Sequence, residues 1–158
     1  MNKFEQAYDL LRNSKNTGEA IFNLPDHLVP STFEDAYAIQ AAVECTTDRR
    51  IGWKIAATSK DGQKHIGVSG PIIGRITFSM SLNTDEFVSP KSNRMMVAEP
   101  EFVFVFNKTI EPTNTPFKRE DIFSHVLCMK LGLEFPNSRY THFEKAGELP
   151  LIADNACA

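Results

Sequence analysis

Cysteine is scarce in this sequence, and the three that occur, Cys45, Cys128 and Cys157, are odd in number and far apart. That spacing argues against a disulfide framework and against a zinc site, and it points to free thiols in a reducing cytoplasm. Strong charge of one sign is missing too: a net charge of −3 gives no field that would draw in nucleic acid or an anionic membrane. No apolar run is long enough to span a bilayer. The opening stretch MNKFEQAYDLLRNSKNTGEA contains acids and lacks an apolar centre, so it does not read as a signal peptide. Repeats and low-complexity segments are absent. His65 and His125 have no partner at ligand spacing and read as structural or exposed. What is present, 42% hydrophobic and 23% charged residues over 158 positions, suits one globular domain with a real core.

Hydrophobic spacing sets the expected elements. Phe4, Ala7, Tyr8 and Leu11 share one helical face, and this pattern fades over 13–18. The prolines of NLPDHLVP make 23–30 a loop. Ser31 and Glu34 form a capping-box pattern before a second helix with Phe33, Ala36, Tyr37, Ile39 and Val43 on its apolar stripe. A strand is expected over 51–59. Four glycines and a proline make 60–76 read as loop-rich, and FVSP at 87–90 reads as a short strand. The clearest strand is 98–106, AEPEFVFVF. A helix is expected within 116–126, a strand over 127–135 broken at Gly132, and the start of another strand at 150–155. Helices first and strands afterwards imply an α+β fold. The final LIADNACA ends where an apolar strand should continue, which reads as a fragment.

Residues i and i+2 of a strand share a face, so Glu99 and Glu101 project together, with Val97, Val103 and Val105 along the same side. Two neighbouring carboxylates repel unless a shared proton, a pair of cations or a hard divalent metal neutralises them. Oxygen-only donors suit Mg²⁺ or Mn²⁺ better than Zn²⁺. A solvated strand end accommodates the same pair without a metal. A third acid, Glu134, lies between Leu133 and Phe135, or else on an exposed turn facing Arg139. Lys54, flanked by Trp53 and Ile55, reads either as a desolvated lysine suited to proton transfer or as a snorkelling edge-strand lysine. Thr58 and Ser59 read as donors to a substrate carboxylate or as a turn, and Asp154 with Asn155 as pocket lining or a turn cap.

Six blocks occur together and in order: AYAIQ (36–40), GWKIAATS (52–59), GQKHIGVSGPIIGRI (62–76), AEPEFVFVF (98–106), LGLEFPNSRY (131–140) and IADN (152–155). In these blocks the chain resembles the 2-keto-4-pentenoate hydratase / 4-oxalocrotonate decarboxylase family of the fumarylacetoacetate hydrolase superfamily. The resemblance implies a single hydratase-like domain over 1–158, with a helical part at 1–50 and the first part of a mixed β-roll at 51–158. It implies Mg²⁺ or Mn²⁺ held by Glu99, Glu101 and Glu134, Lys54 as the active-site lysine, and pocket lining from Thr58, Ser59, Asp154 and Asn155. It also implies a cytoplasmic homo-oligomer acting on small 2-oxo or 2-hydroxy-enoate acids in aromatic-compound catabolism, with no nucleic-acid or membrane partner.

The expected activity is hydration of a 2-hydroxy-dienoate such as 2-hydroxypenta-2,4-dienoate. The alternatives are decarboxylation of a 2-oxo-enedioate, hydrolysis of an acylpyruvate-type substrate, and an inactive fragment that only binds metal. Two positions depart from the family pattern. Ile72 stands where hydratases often carry an acid, and Cys157 where a serine is common. Roughly the last two-fifths of the family's domain has no counterpart in this chain, so a truncated frame is expected.

Overall fold

The computed structural model describes residues 1–42, 48–89 and 93–158. Helices and strands share the chain, as an α+β fold requires. The described residues form two compact units, Met1–Met96 with Pro136–Ala158, and Val97–Phe135.

In the first unit, helix α1 (Lys3–Thr17) is capped by Asn2, whose side chain accepts from the Phe4 and Glu5 N–H groups, while Glu5 bonds back to the Asn2 N–H. Such reciprocal bonds satisfy donors that a helix start leaves open. The helix extends through the polar stretch where its periodicity fades, because Ser14 is buried and donates to the Glu19 carbonyl at 2.6 Å. Helix α2 (Phe33–Ala41) is capped by Thr32 rather than Ser31: the Thr32 hydroxyl accepts from the Asp35 N–H at 3.1 Å. Ser31 donates to Asp35 Oδ2 at 2.8 Å, so Asp35 takes the part expected of Glu34. Val43, expected on the same stripe, lies outside the described residues.

Strands β1 (Arg50–Ala56) and β2 (Ile72–Thr77) pair antiparallel, with Lys54 opposite Gly74. Between them, the stretch read as loop contains helix α3 (Lys60–Ile66). Ser59 caps it by accepting from the Gly62 N–H at 3.0 Å, and Gly67 ends it at φ 70°, a left-handed conformation that favours glycine. Gly67 therefore ends a helix that the number of glycines had disguised. Residues 87–89 form no strand, and Pro90 lies outside the described residues.

The short helix α5 (Phe143–Ala146) precedes a larger departure from expectation. The stretch read as a nascent strand is helix α6 (Glu148–Ala153), with Pro150 in its first turn, where the missing N–H removes no helical bond. Leu151 and Ile152, both fully buried, pack with Ala36, Val68 and Ile72, while Ala153 joins Ala7, Leu11, Leu28 and Ile39. Fully burying a Leu or Ile side chain contributes about 1.5–3 kcal/mol, so α6 is the keystone of both clusters.

Side chains also bond the main chain of β2. Gln40 Nε2 donates to the Ile73 and Ile152 carbonyls at 2.8 Å each. Asn155 Oδ1 accepts from the Arg75 N–H at 2.6 Å, and its Nδ2 donates to the Arg75 carbonyl at 2.8 Å. An amide side chain thus supplies the two bonds that a further strand would make at Arg75.

The second unit is a hairpin of β3 (Glu99–Phe106) and β4 (Val126–Glu134), with helix α4 (Arg119–Phe123) in its connection. The expected 116–126 helix is confined to that single turn. Strand β4 runs unbroken through Gly132, where a Cβ would come within 2.9 Å of Val103 Cγ2. Pro100, Phe102 and Phe104 stand opposite Leu133, Leu131 and Met129, giving one wholly apolar face. The strand pattern suggested a core, yet Phe102 is 66% exposed and Leu131 82% exposed. A two-stranded ribbon is marginal in water by itself, and an apolar face of this kind belongs against another surface.

The packing predicts a sharp contrast under urea denaturation. Leu151→Ala should lose about 2–5 kcal/mol through the cavity it leaves. Leu131→Ala should change stability by no more than about 0.5 kcal/mol. Equal losses would contradict the assignment of the core.

Candidate functional site

The β3–β4 register brings the three predicted acids together. Glu99 pairs directly with Glu134, and Glu101, two residues along the same face, stands opposite Gly132. A carboxylate oxygen from each lies within 4.8 Å of one from each of the others. Glu99 and Glu101 are exposed and Glu134 is half-buried. Gly132 places no side chain among them, and all the donors are hard oxygens. That set fits Mg²⁺ or Ca²⁺, which take carboxylate ligands, and suits zinc poorly. Three carboxylates this close repel one another, and a divalent cation relieves that repulsion directly.

The other predicted site residues lie in the first unit. Lys54 projects from β1, and its Nζ donates to the Ala156 carbonyl at 2.9 Å. Trp53, on the opposite face of β1, is half-exposed and stacked by the Arg50 and Arg75 guanidinium groups, 4.3 and 5.0 Å from its ring. Thr58 and Ser59 are exposed just after β1, and Ser59 serves as the cap of α3. Ala57, immediately before them, has φ 58°.

Asp154 is fully buried and held from three directions. Ser138 Oγ donates to its Oδ2 at 2.7 Å, the Arg139 N–H donates to the same oxygen at 3.0 Å, and Arg139 Nε contacts Oδ1 at 2.5 Å. Burial pushes the Asp154 carboxyl up, while the Arg139 guanidinium and the Ser138 hydroxyl pull it back down. Arg139, considered from sequence as a partner for Glu134, instead serves Asp154. Asn155 is buried against Arg75, and it also lines a cavity of about 330 Å³ with Tyr8, Lys15, Gln40 and Arg139.

Three residues sequence reasoning missed are Gln40, Ser138 and Arg139. Their only signal was membership in the AYAIQ and PNSRY blocks, since a buried polar side chain looks like a surface one until its partners are known. Ile72 is 2% exposed within the second apolar cluster. His65 is exposed and edge-on to Phe143, and His125 bonds locally to Ser124 and the Asp121 carbonyl, as their structural reading requires.

Among the described cysteines, Cys128 is exposed and Cys157 buried, both free. Desolvation by burial, and secondarily the Asp154 charge, push the Cys157 thiol up to about 12.

No protein-family model matches the chain. It is 29% identical over 158 residues to a 2-hydroxyhexa-2,4-dienoate hydratase of Comamonas testosteroni, covering 96% of this chain and 57% of that protein. A 2-keto-4-pentenoate hydratase of Paraburkholderia xenovorans is 29% identical over 159 residues, with the same coverage. A 4-oxalocrotonate decarboxylase of a Pseudomonas species is 30% identical over 115 residues, 68% of this chain and 41% of that one. The solved 4-oxalocrotonate decarboxylase of Pseudomonas putida, in complex with magnesium and adipate, shares the fold at TM-score 0.83 and 21% identity, covering 98% of this chain and 59% of that one.

Two measurements test the geometry. Mn²⁺ titration followed by electron paramagnetic resonance should show one carboxylate site per chain. Glu101→Gln should weaken it at least about tenfold, and undiminished binding would remove Glu101 from the site. In a Cys45→Ser background, a disulfide reagent at pH 8 should label Cys128 rapidly and Cys157 only on unfolding. Equal native rates would contradict the buried, protonated thiol.

The chain spans 57% of the length of the two hydratases and 41% of the decarboxylase it matches; in sequence it is similar to 2-keto-4-pentenoate hydratases and a 4-oxalocrotonate decarboxylase, and it shares the fold of the latter.

Proposed function

We propose that this chain carries the metal-binding and proton-transfer residues of a cytoplasmic, homo-oligomeric lyase that hydrates 2-hydroxy-dienoate acids in aromatic-compound catabolism. In this reading, residues 1–158 belong to one hydratase-like domain with a β-roll. The observation that carries it is the cluster of Glu99, Glu101 and Glu134, with carboxylate oxygens within 4.8 Å of one another. Those three residues hold a divalent cation, Mg²⁺ or Mn²⁺. Bound there, the cation supplies Lewis-acid polarisation of the carboxylate and 2-oxygen of a 2-oxo acid.

The remaining chemistry falls to the chain's own groups. Lys54 is the proton carrier of the enol–keto change: its ammonium gives a proton to the terminal dienol carbon, and the amine recovers the proton released from the 2-hydroxyl; water then adds across the remaining double bond, its OH on one carbon and its other hydrogen on the next. Thr58, Ser59 and the Asp154–Asn155 segment bind and orient the substrate. Within that segment, the Asp154 carboxylate acts from behind by fixing the backbone, since Ser138 and Arg139 occupy its oxygens. Ile72 contributes packing alone.

That residue also favours a second reading. A buried isoleucine where hydratases often carry an acid weakens simple hydration, and a 4-oxalocrotonate decarboxylase is among both the sequence relatives and the fold neighbours. The ligand set serves either reaction.

Incubation of the full gene product with 2-hydroxypenta-2,4-dienoate and Mg²⁺ should bleach the dienol absorbance, and chelation should stop it. Loss of absorbance independent of metal, or none at all, would contradict the hydratase. Release of carbon dioxide from a 2-oxo-enedioate would select the decarboxylase.

A further inference from the structure

After α6 the backbone does something unusual. Asn155, Ala156 and Cys157 have φ of 57°, 52° and 66°, three successive non-glycine residues in the left-handed region. Single residues visit that region; runs of side-chain-bearing residues persist there only when their surroundings enforce it.

The enforcing contacts converge from four sides. The Asn155 amide makes its two bonds to the Arg75 main chain, at 2.6 and 2.8 Å. The Asn137 N–H donates to the Cys157 carbonyl at 2.7 Å. Asp154, at the head of the turn, is anchored by Arg139 and Ser138. The fourth contact is Lys54, whose ammonium donates to the Ala156 carbonyl at 2.9 Å.

Gly74 makes this arrangement sterically possible. A Cβ there would stand 2.4 Å from the Asn155 carbonyl oxygen and 2.9 and 3.0 Å from Lys54 Cγ and Cδ. One missing methyl group therefore admits both the turn and the stem of the lysine. Gly74 is also the β-partner of Lys54, so the same pairing fixes the lysine backbone.

We infer that the left-handed turn Asn155–Cys157 is a positioning device for Lys54, with Asn155 locking the turn to β2 and Gly74 providing the space. The turn presents the Ala156 carbonyl to the ammonium and holds the long, flexible lysine in one rotamer. The benefit to catalysis rests on the reading of Lys54 as the proton carrier; the lock does not depend on that reading. Asn155 and Gly74 act through Lys54 and are positioning residues.

Competitive trace acetylation, with each lysine quantified by mass spectrometry, tests the lock. In the native protein Lys54 should react about tenfold more slowly than exposed Lys118, the effect of one hydrogen bond to a charged group. Asn155→Gly removes the amide yet keeps the left-handed backbone accessible. It should raise the Lys54 rate about tenfold and leave Lys118 unchanged, and Gly74→Ala should act in the same direction. If Asn155 only stabilises the fold, the melting temperature falls and the Lys54 rate stays put, which overturns the proposal. Should both variants fail to fold, the native comparison still decides: Lys54 reacting as fast as Lys118 overturns it. Mn²⁺ affinity measured on the same samples separates the two readings, because loss of the metal site would leave the lysine result standing.

Discussion

The buried ion pair between Arg139 and Asp154 is the interaction on which the geometry of the first unit depends. Both side chains are almost wholly removed from water, at 6% and 0% exposure. Desolvating two charges is costly, and the Coulombic attraction offsets it only when the remaining donors and acceptors are also satisfied. Here Arg139 additionally donates to the carbonyls of Asn137, Asp154 and Ala158, and Asp154 accepts from Ser138. The result is a rigid polar knot at the end of α6. It fixes the first residue of the left-handed turn, the turn carries Asn155 to the edge of β2, and the Ala156 carbonyl meets Lys54.

The molecule uses carboxylates in two opposed ways. Asp154 sits in an apolar interior and is neutralised by a permanent internal partner. Glu99, Glu101 and Glu134 gather on one face of a hairpin, two of them exposed, where a divalent cation would relieve their mutual repulsion. A group neutralised from within builds structure; groups clustered toward solvent are available for binding. That contrast is why the hairpin acids are the metal-ligand candidates and Asp154 is the anchor.

The hairpin acids were legible because strand geometry is simple. An i, i+2 pair shares a face whatever the rest of the chain does, and the six ordered blocks brought in Glu134. The strand position of Lys54 was legible as well, since the apolar residues around it mark β1. The errors arose where local pattern and tertiary context disagreed. Glycines suggested a loop-rich stretch over 60–76, but Ser59 and Gly67 supply caps that make a helix of Lys60–Ile66. The apolar PLIADN stretch suggested a strand, but Pro150 at a first-turn position permits α6, and its burial in two clusters stabilises the helix. Periodicity could not reveal the buried tasks of Gln40, Ser138 and Arg139, because each depends on carbonyls or charges far away in sequence. Nor could alternation along β3 distinguish a buried strand from one whose apolar face is open.

The central claim is that the three glutamates form one metal centre, and anomalous diffraction from crystals grown with Mn²⁺ tests it most directly. The expected result is a single strong peak about 2.0–2.6 Å from carboxylate oxygens of Glu99, Glu101 and Glu134 together. No peak at the hairpin, or one that contacts none of these three side chains, would contradict it.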